Sequence, residues 1–110
     1  MGQFVKGEVV VISFPFTDFS NSIRRPALVV ASPNRSDPIF CMITRKRRED
    51  GFSIPLEPTD FDQGRLDCSS NIRPNRIFTA AESKVISSVG KVKQAKIQEV
   101  IGKLVQIIQS

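Results

Sequence analysis

The sequence predicts an α+β domain in which a small, strongly bent or barrel-like sheet is followed by one C-terminal amphipathic helix. Two runs without polar interruption, Val9-Val10-Val11-Ile12 and Ala27-Leu28-Val29-Val30, have the character of strands buried on both faces. Shorter strand-like runs follow, separated by polar turns. Helical spacing of apolar residues is confined to the tail, and an order of many strands followed by one helix is the pattern of an α+β domain.

The first strand is expected over 8–14. The polar turn Ser20-Asn21-Ser22 separates it from a second strand over 26–32, introduced by Arg24 and Arg25. Pro26 excludes helical geometry for the residue before it, so Arg25 is held extended at the edge of a rigid sheet, where solvent is near. The proline- and asparagine-containing turn from Ser32 to Pro38 leads to a third strand over 39–44. A charged connection from Arg45 to Gly51 precedes a short fourth strand over 53–56, which Pro55 marks as an edge. The last strand is expected over 70–78. There Asn71, Arg73 and Asn75 recur with period two on one face, and Pro74 predicts an edge or a bulge. From Gln94 to Gln109, Ile97, Val100, Ile101, Leu104, Val105 and Ile108 form a helical stripe that must pack on the sheet. Phe4, Phe14, Phe40 and Phe78 alternate with apolar neighbours and are assigned to the core. Phe16 is also placed in the core, with base stacking as the alternative.

A chain of 110 residues with 40% apolar residues and eight phenylalanines supports a single domain over 1–110. Sixteen Lys and Arg against 11 Asp and Glu give a net charge of +5, which favours an anionic partner such as nucleic acid but is also common in small soluble proteins. No apolar stretch approaches the ~18 residues a membrane span needs, and no secretion signal opens the chain, so a cytoplasmic protein is expected. Cys41 lies in an apolar run and Cys68 in a polar one, without redox-pair or zinc spacing, which suits a reducing compartment. With no histidine in the sequence, imidazole acid–base pairs, Ser-His-Asp triads and the usual zinc sites are excluded. Asp60, Asp62 and Asp67 lack the spacing of a calcium loop and read as solvated carboxylates, so neither a metal nor a cofactor is expected. The remaining functional groups are Arg, Lys, Ser, Thr, Asn and carboxylates. Such a set suits phosphodiester chemistry, because arginine stabilises charge developing on phosphate oxygens and hydroxyl groups position them.

The ordered segments Gly7-Glu8-Val9, Phe14-Pro15, Arg25-Pro26-Ala27-Leu28-Val29-Val30, Ile43-Thr44 and Ser70 to Thr79 resemble the MazF/PemK toxin family of bacterial toxin–antitoxin systems. Ile86-Ser87-Ser88-Val89-Gly90-Lys91-Val92 is similar to that family's closing segment, so the resemblance covers nearly the whole chain. It implies an SH3-like barrel with a C-terminal helix, working as a homodimer and silenced by an antitoxin protein that occupies the RNA groove. The implied activity is that of a ribosome-independent endoribonuclease cutting single-stranded RNA without a metal, leaving a 2′,3′-cyclic phosphate and a 5′-hydroxyl.

Carried over position by position, the resemblance implies Arg25 and Thr44 as catalytic residues. RNA contacts are expected from Asp18, Ser20, Arg24, Arg45, Lys46, Asn71, Arg73 and Asn75. The family's loop glutamate is replaced here by Ser20, with Asp18 the nearest carboxylate, and Asn75 stands where some relatives have a carboxylate. The general base is therefore open. On composition alone, Arg45-Lys46-Arg47-Arg48 reads as a solvated connection, and its position beside Thr44 favours phosphate steering. Two other readings stand beside the nuclease: a toxin of the same fold that poisons DNA gyrase, and a non-catalytic nucleic-acid-binding barrel.

Overall fold

The computed structural model describes residues 4–15, 22–34, 37–46 and 50–110. Strand β1 spans Glu8–Pro15, β2 Ser22–Ala31, β3 Ile39–Thr44, β4 Ile54–Leu56, β5 Phe61–Gly64, β6 Ser70–Thr79 and β7 Val85–Val92, and helix α1 spans Gln94–Ile108. The strands form one sheet in the order β4-β6-β3-β2-β1-β7-β5, with every pair antiparallel. Extents of 33 × 32 × 31 Å for a seven-stranded sheet with one helix require the sheet to curl, as expected for a strongly bent, barrel-like domain.

The apolar runs occupy the middle of this sheet because both of its faces are covered. On one face Val9, Leu28, Cys41, Ile43 and Ile72 pack with Ile97, Val100 and Leu104 of α1. On the other, Val10, Ile12, Ala27, Val29 and Phe40 are covered by Phe4, Phe78, Ala80 and Val85. Phe40 is fully buried, and its ring stacks on Phe78 at a centroid separation of 5.3 Å. Of the four phenylalanines assigned to the core, Phe4, Phe40 and Phe78 pack there, while the Phe14 side chain and Phe16 lie outside the described residues.

Several boundaries differ from the sequence expectation. Strand β2 begins at Ser22 rather than near Pro26, because β1 continues to pair with it through Ser13–Arg24 and Pro15–Ser22. Two strands were not anticipated. The short β5 exposes all of its residues but Phe61, and β7 interrupts its apolar residues with Ser87, Ser88 and Gly90, so neither alternates cleanly. As Pro55 implied, β4 is an edge strand. The helical stripe is only partly used: Ile97, Val100 and Leu104 are buried, whereas Val105 is 47% and Ile108 69% exposed. Among the described residues, no helix is long and apolar enough to cross a membrane.

Helix α1 is tied at its start to the turn before β5. Lys93 donates its amide to the Asp60 carbonyl at 2.8 Å, and Lys96 Nζ approaches the Asp60 carboxylate at 3.6 Å. Asp60 also accepts the Glu57 amide at 2.7 Å, so this carboxylate is a local cap rather than a solvated loop group.

Removing the Phe40 ring is expected to cost about 3–5 kcal/mol, the range for a large aromatic deleted from a close-packed core. Urea unfolding of Phe40→Ala, compared at equal m-value, checks this.

Candidate nucleic-acid groove

The ladder between β2 and β3 begins at the pair Ala27–Met42. Pro26, just before it, has no amide hydrogen with which to carry the ladder further. Residues 22–26 therefore pair only with β1, while Ile43 and Thr44 pair only with β6, opposite Ile72 and Asn71. The two strands part, and the opening is the head of a groove of about 660 Å³. Arg24, Arg25 and Pro26 line it from β2, and Met42, Ile43 and Thr44 from β3.

A second irregularity supplies another wall. Along β3 and β6, Cys41 faces Ile77 and the next pair is Met42–Arg73, so Pro74, Asn75 and Arg76 are looped out between them. Pro74 thus marks a bulge. Arg73, which flanks this bulge, and Arg76, which lies within it, both line the groove. The expected period-two strip holds only as far as Arg73: Asn71 and Arg73 alternate with buried Ile72, but the bulge takes Asn75 out of the series. Asn71 faces Thr44 across the ladder, and neither Asn71 nor Asn75 is among the lining residues.

Six cationic side chains line the groove: Arg24, Arg25, Arg45, Lys46, Arg73 and Arg76. Four of the expected RNA contacts, Arg24, Arg45, Lys46 and Arg73, therefore converge with the two expected catalytic residues, Arg25 and Thr44, whereas Asp18 and Ser20 lie outside the described residues. Thr44 Oγ1 accepts the Lys46 amide at 3.2 Å, which leaves the hydroxyl hydrogen available to a ligand. Arg73 is held by Asp50, with Nη2 donating to Oδ2 at 3.1 Å. Its Nε is buried and, among the described residues, without a partner. Asp50 Oδ1 accepts the Phe52 and Ser53 amides at 3.0 and 3.2 Å. The Phe52 amide foremost, then Arg73 and Ser53, hold the Asp50 carboxyl below the ordinary carboxylate range despite partial desolvation.

The loop between β5 and β6 contributes Leu66, Asp67 and Cys68, followed by buried Ser70. These residues and Arg76 were not expected at the site. The Pro74 bulge was a signal for Arg76; nothing in the spacing ties residues 66–68 to Arg25, because they meet only through the curl of the sheet. Cys41 is buried, which pushes its thiol up to about 12, and it plays no part in the groove. Cys68 is exposed.

A curled antiparallel sheet with one terminal helix and a cationic groove at a strand parting defines a small basic barrel-like protein. Its sequence matches the model for PemK-like, MazF-like toxins of type II toxin–antitoxin systems over residues 5–108, and the chain belongs to that family. Solved structures agree with the fold. A MazE–MazF structure from Deinococcus radiodurans superposes with a TM-score of 0.76 at 20% identity, covering 96% of this chain and 95% of that one. An endoribonuclease from a mycobacterial species in complex with its cognate antitoxin gives 0.74 at 16% identity, covering 96% and 94%. A further mycobacterial endoribonuclease structure gives 0.74 at 16% identity, covering 99% and 94%. No curated protein matches in sequence.

The Asp50 contacts set a pH dependence with a definite sign. A carboxyl whose folded-state pKa is depressed stabilises the fold above its unfolded pKa, and that contribution is lost as pH falls through the lower folded value. Asp50→Asn is therefore expected to lower the melting temperature at pH 7, with the gap to wild type closing as pH drops below the ordinary carboxylate range. Thermal unfolding of both proteins between pH 3 and pH 7 measures the gap.

Proposed function

We propose that this toxin is an endoribonuclease that cuts single-stranded RNA in the groove by 2′-hydroxyl transesterification, with Arg25 and Thr44 as its catalytic residues. The observation that carries the reading is their placement: one on each of the two strands that part at Pro26, both lining the same cationic groove. In that reaction the RNA 2′-oxygen attacks the adjacent phosphorus and the 5′-oxygen leaves with a proton. The products are a 2′,3′-cyclic phosphate and a 5′-hydroxyl. Negative charge builds on the non-bridging oxygens in the transition state. Arg25 makes no ion pair among the described residues, so its guanidinium is free to neutralise that charge. Thr44 donates its hydroxyl hydrogen to a phosphate oxygen while the Lys46 amide fixes its oxygen.

The other cations bind the flanking phosphates. Single-stranded RNA releases counterions as they are neutralised, which makes affinity strongly salt-dependent. The structures of related proteins solved with an antitoxin support an antitoxin partner for this chain, and a segment rich in acidic residues suits this groove. A homodimer is supported by the uncovered Val105 and Ile108, which would bury apolar surface against a second copy. Growth inhibition then follows from loss of messenger RNA in the cytoplasm.

The test is incubation of the purified protein with a long single-stranded RNA in EDTA, beside Arg25→Ala and Thr44→Ala, with end analysis of the fragments. Discrete fragments ending in 2′,3′-cyclic phosphate are expected, with rates reduced about 10²–10³-fold in each variant, the loss typical of one transition-state hydrogen-bond donor. RNA that is bound but left intact by the wild-type protein contradicts the nuclease reading and leaves a nucleic-acid-binding barrel.

A further inference from the structure

Among the residues lining the groove, Asp67 is the one carboxylate against six cations. It forms no ion pair or hydrogen bond with any described residue, in contrast to Asp50, which lies outside the lining and is paired with Arg73. Among the described residues, Asp67 is therefore not engaged as an internal counter-ion.

Its backbone is fixed at both ends. On one side Gly64 adopts a φ of 67°, and an added Cβ there would collide with the Val89 carbonyl; at Gly90 a Cβ would collide with the Gln63 carbonyl. Strand β5 thus lies against β7 with no room for a side chain, and the Arg65 amide continues the contact to the Val89 carbonyl at 3.3 Å. Leu66 packs against the core. On the other side Ser69 Oγ donates to Glu57 at 2.7 Å, and Ser70 Oγ donates to the Cys68 carbonyl at 3.1 Å. Asp67 is consequently an exposed acceptor carried on an anchored loop at the groove wall.

A carboxylate repels phosphate, so its place in a phosphate-binding groove calls for a donor on the RNA. Single-stranded RNA presents the Watson–Crick edges of its bases. A carboxylate offers two acceptors side by side and no donor. Guanine alone answers with two adjacent donors, N1–H and N2–H. Adenine, cytosine and uracil each place an acceptor beside their donor, facing a carboxylate oxygen. We propose, on the reading of this groove as an RNA site, that Asp67 determines specificity by accepting both N–H groups of a guanine at one fixed position of the bound RNA.

The test maps cut ends on a long RNA of mixed sequence for wild type, Asp67→Asn and Asp67→Ala. Because Asp67 is exposed and makes no ion pair or hydrogen bond among the described residues, the variants should melt with the wild type. Wild-type cut sites are expected to share a guanine at one position, and both variants to lose that preference about tenfold, within the range for one bidentate base contact. Inosine, which lacks the N2 amine, placed at that position should slow the wild type severalfold and leave Asp67→Ala unchanged. An unaltered cut-site profile in the variants, including one in which only the overall rate falls, overturns the assignment. If the wild type cuts nothing, the nuclease reading fails separately. Fluorescence anisotropy with guanosine- and inosine-containing oligonucleotides then decides: a guanosine advantage lost in Asp67→Ala supports the assignment, and equal affinities overturn it.

Discussion

The ladder between β2 and β3 stops at Ala27 and Met42, and beyond that pair the two strands follow different neighbours. The cause is local. Pro26 cannot donate a backbone hydrogen bond, so a central strand gives up one partner there while keeping the other. What holds the parted strands in place is the core behind them. Leu28, Cys41, Ile43 and Ile72 pack as one layer under α1, and a second layer around Phe40 covers the opposite face. Each strand is thus anchored by buried residues immediately beside the residues it presents to the groove, and the opening cannot close by sliding without exposing one of the two layers.

The same scaffold makes possible an arrangement that charge alone opposes. Six cations around one groove repel each other, and a flexible chain would spread them. Here they are carried on β2, on the two residues that follow β3, and at and within the bulge in β6. Among the described residues one of the six, Arg73, is neutralised internally, by Asp50, and that carboxylate also fastens the turn at Phe52 and Ser53. The proposed RNA ligand would relieve the remaining positive charge, which suits a groove lined by six cations and one carboxylate. The solved MazF-type structures share this fold at 16–20% identity, so the architecture is tolerant of most side chains provided the two core layers and the strand order remain.

Much of this was legible in the chain. The uninterrupted apolar runs announced strands buried on both faces, Pro26 announced an extended arginine, Pro55 an edge and Pro74 a bulge, because each of these rests on a local steric rule. What was not legible depended on distance in sequence. Nothing about Ser87, Ser88 and Gly90 signals a strand until β1 and β5 are beside them, and β5 is a strand only because Gly64 and Gly90 allow it to lie against β7. Residues 66–68 reach the groove by that route. The period-two rule placed Arg73 correctly beside buried Ile72 and failed at Asn75, where the looped-out residues reset the register. Val105 and Ile108 continue the helical stripe past the point where the sheet of one chain can cover it.

The proposed function seats RNA where β2 and β3 part. A crystal structure of the protein with a single-stranded RNA made uncuttable by 2′-deoxy substitution at the reacting nucleotide tests it most directly. The phosphate next to that nucleotide is expected between the Arg25 guanidinium and the Thr44 hydroxyl, with the strand running on past Arg73. RNA seated on another face of the sheet, or in the groove with its phosphates away from Arg25 and Thr44, would contradict it.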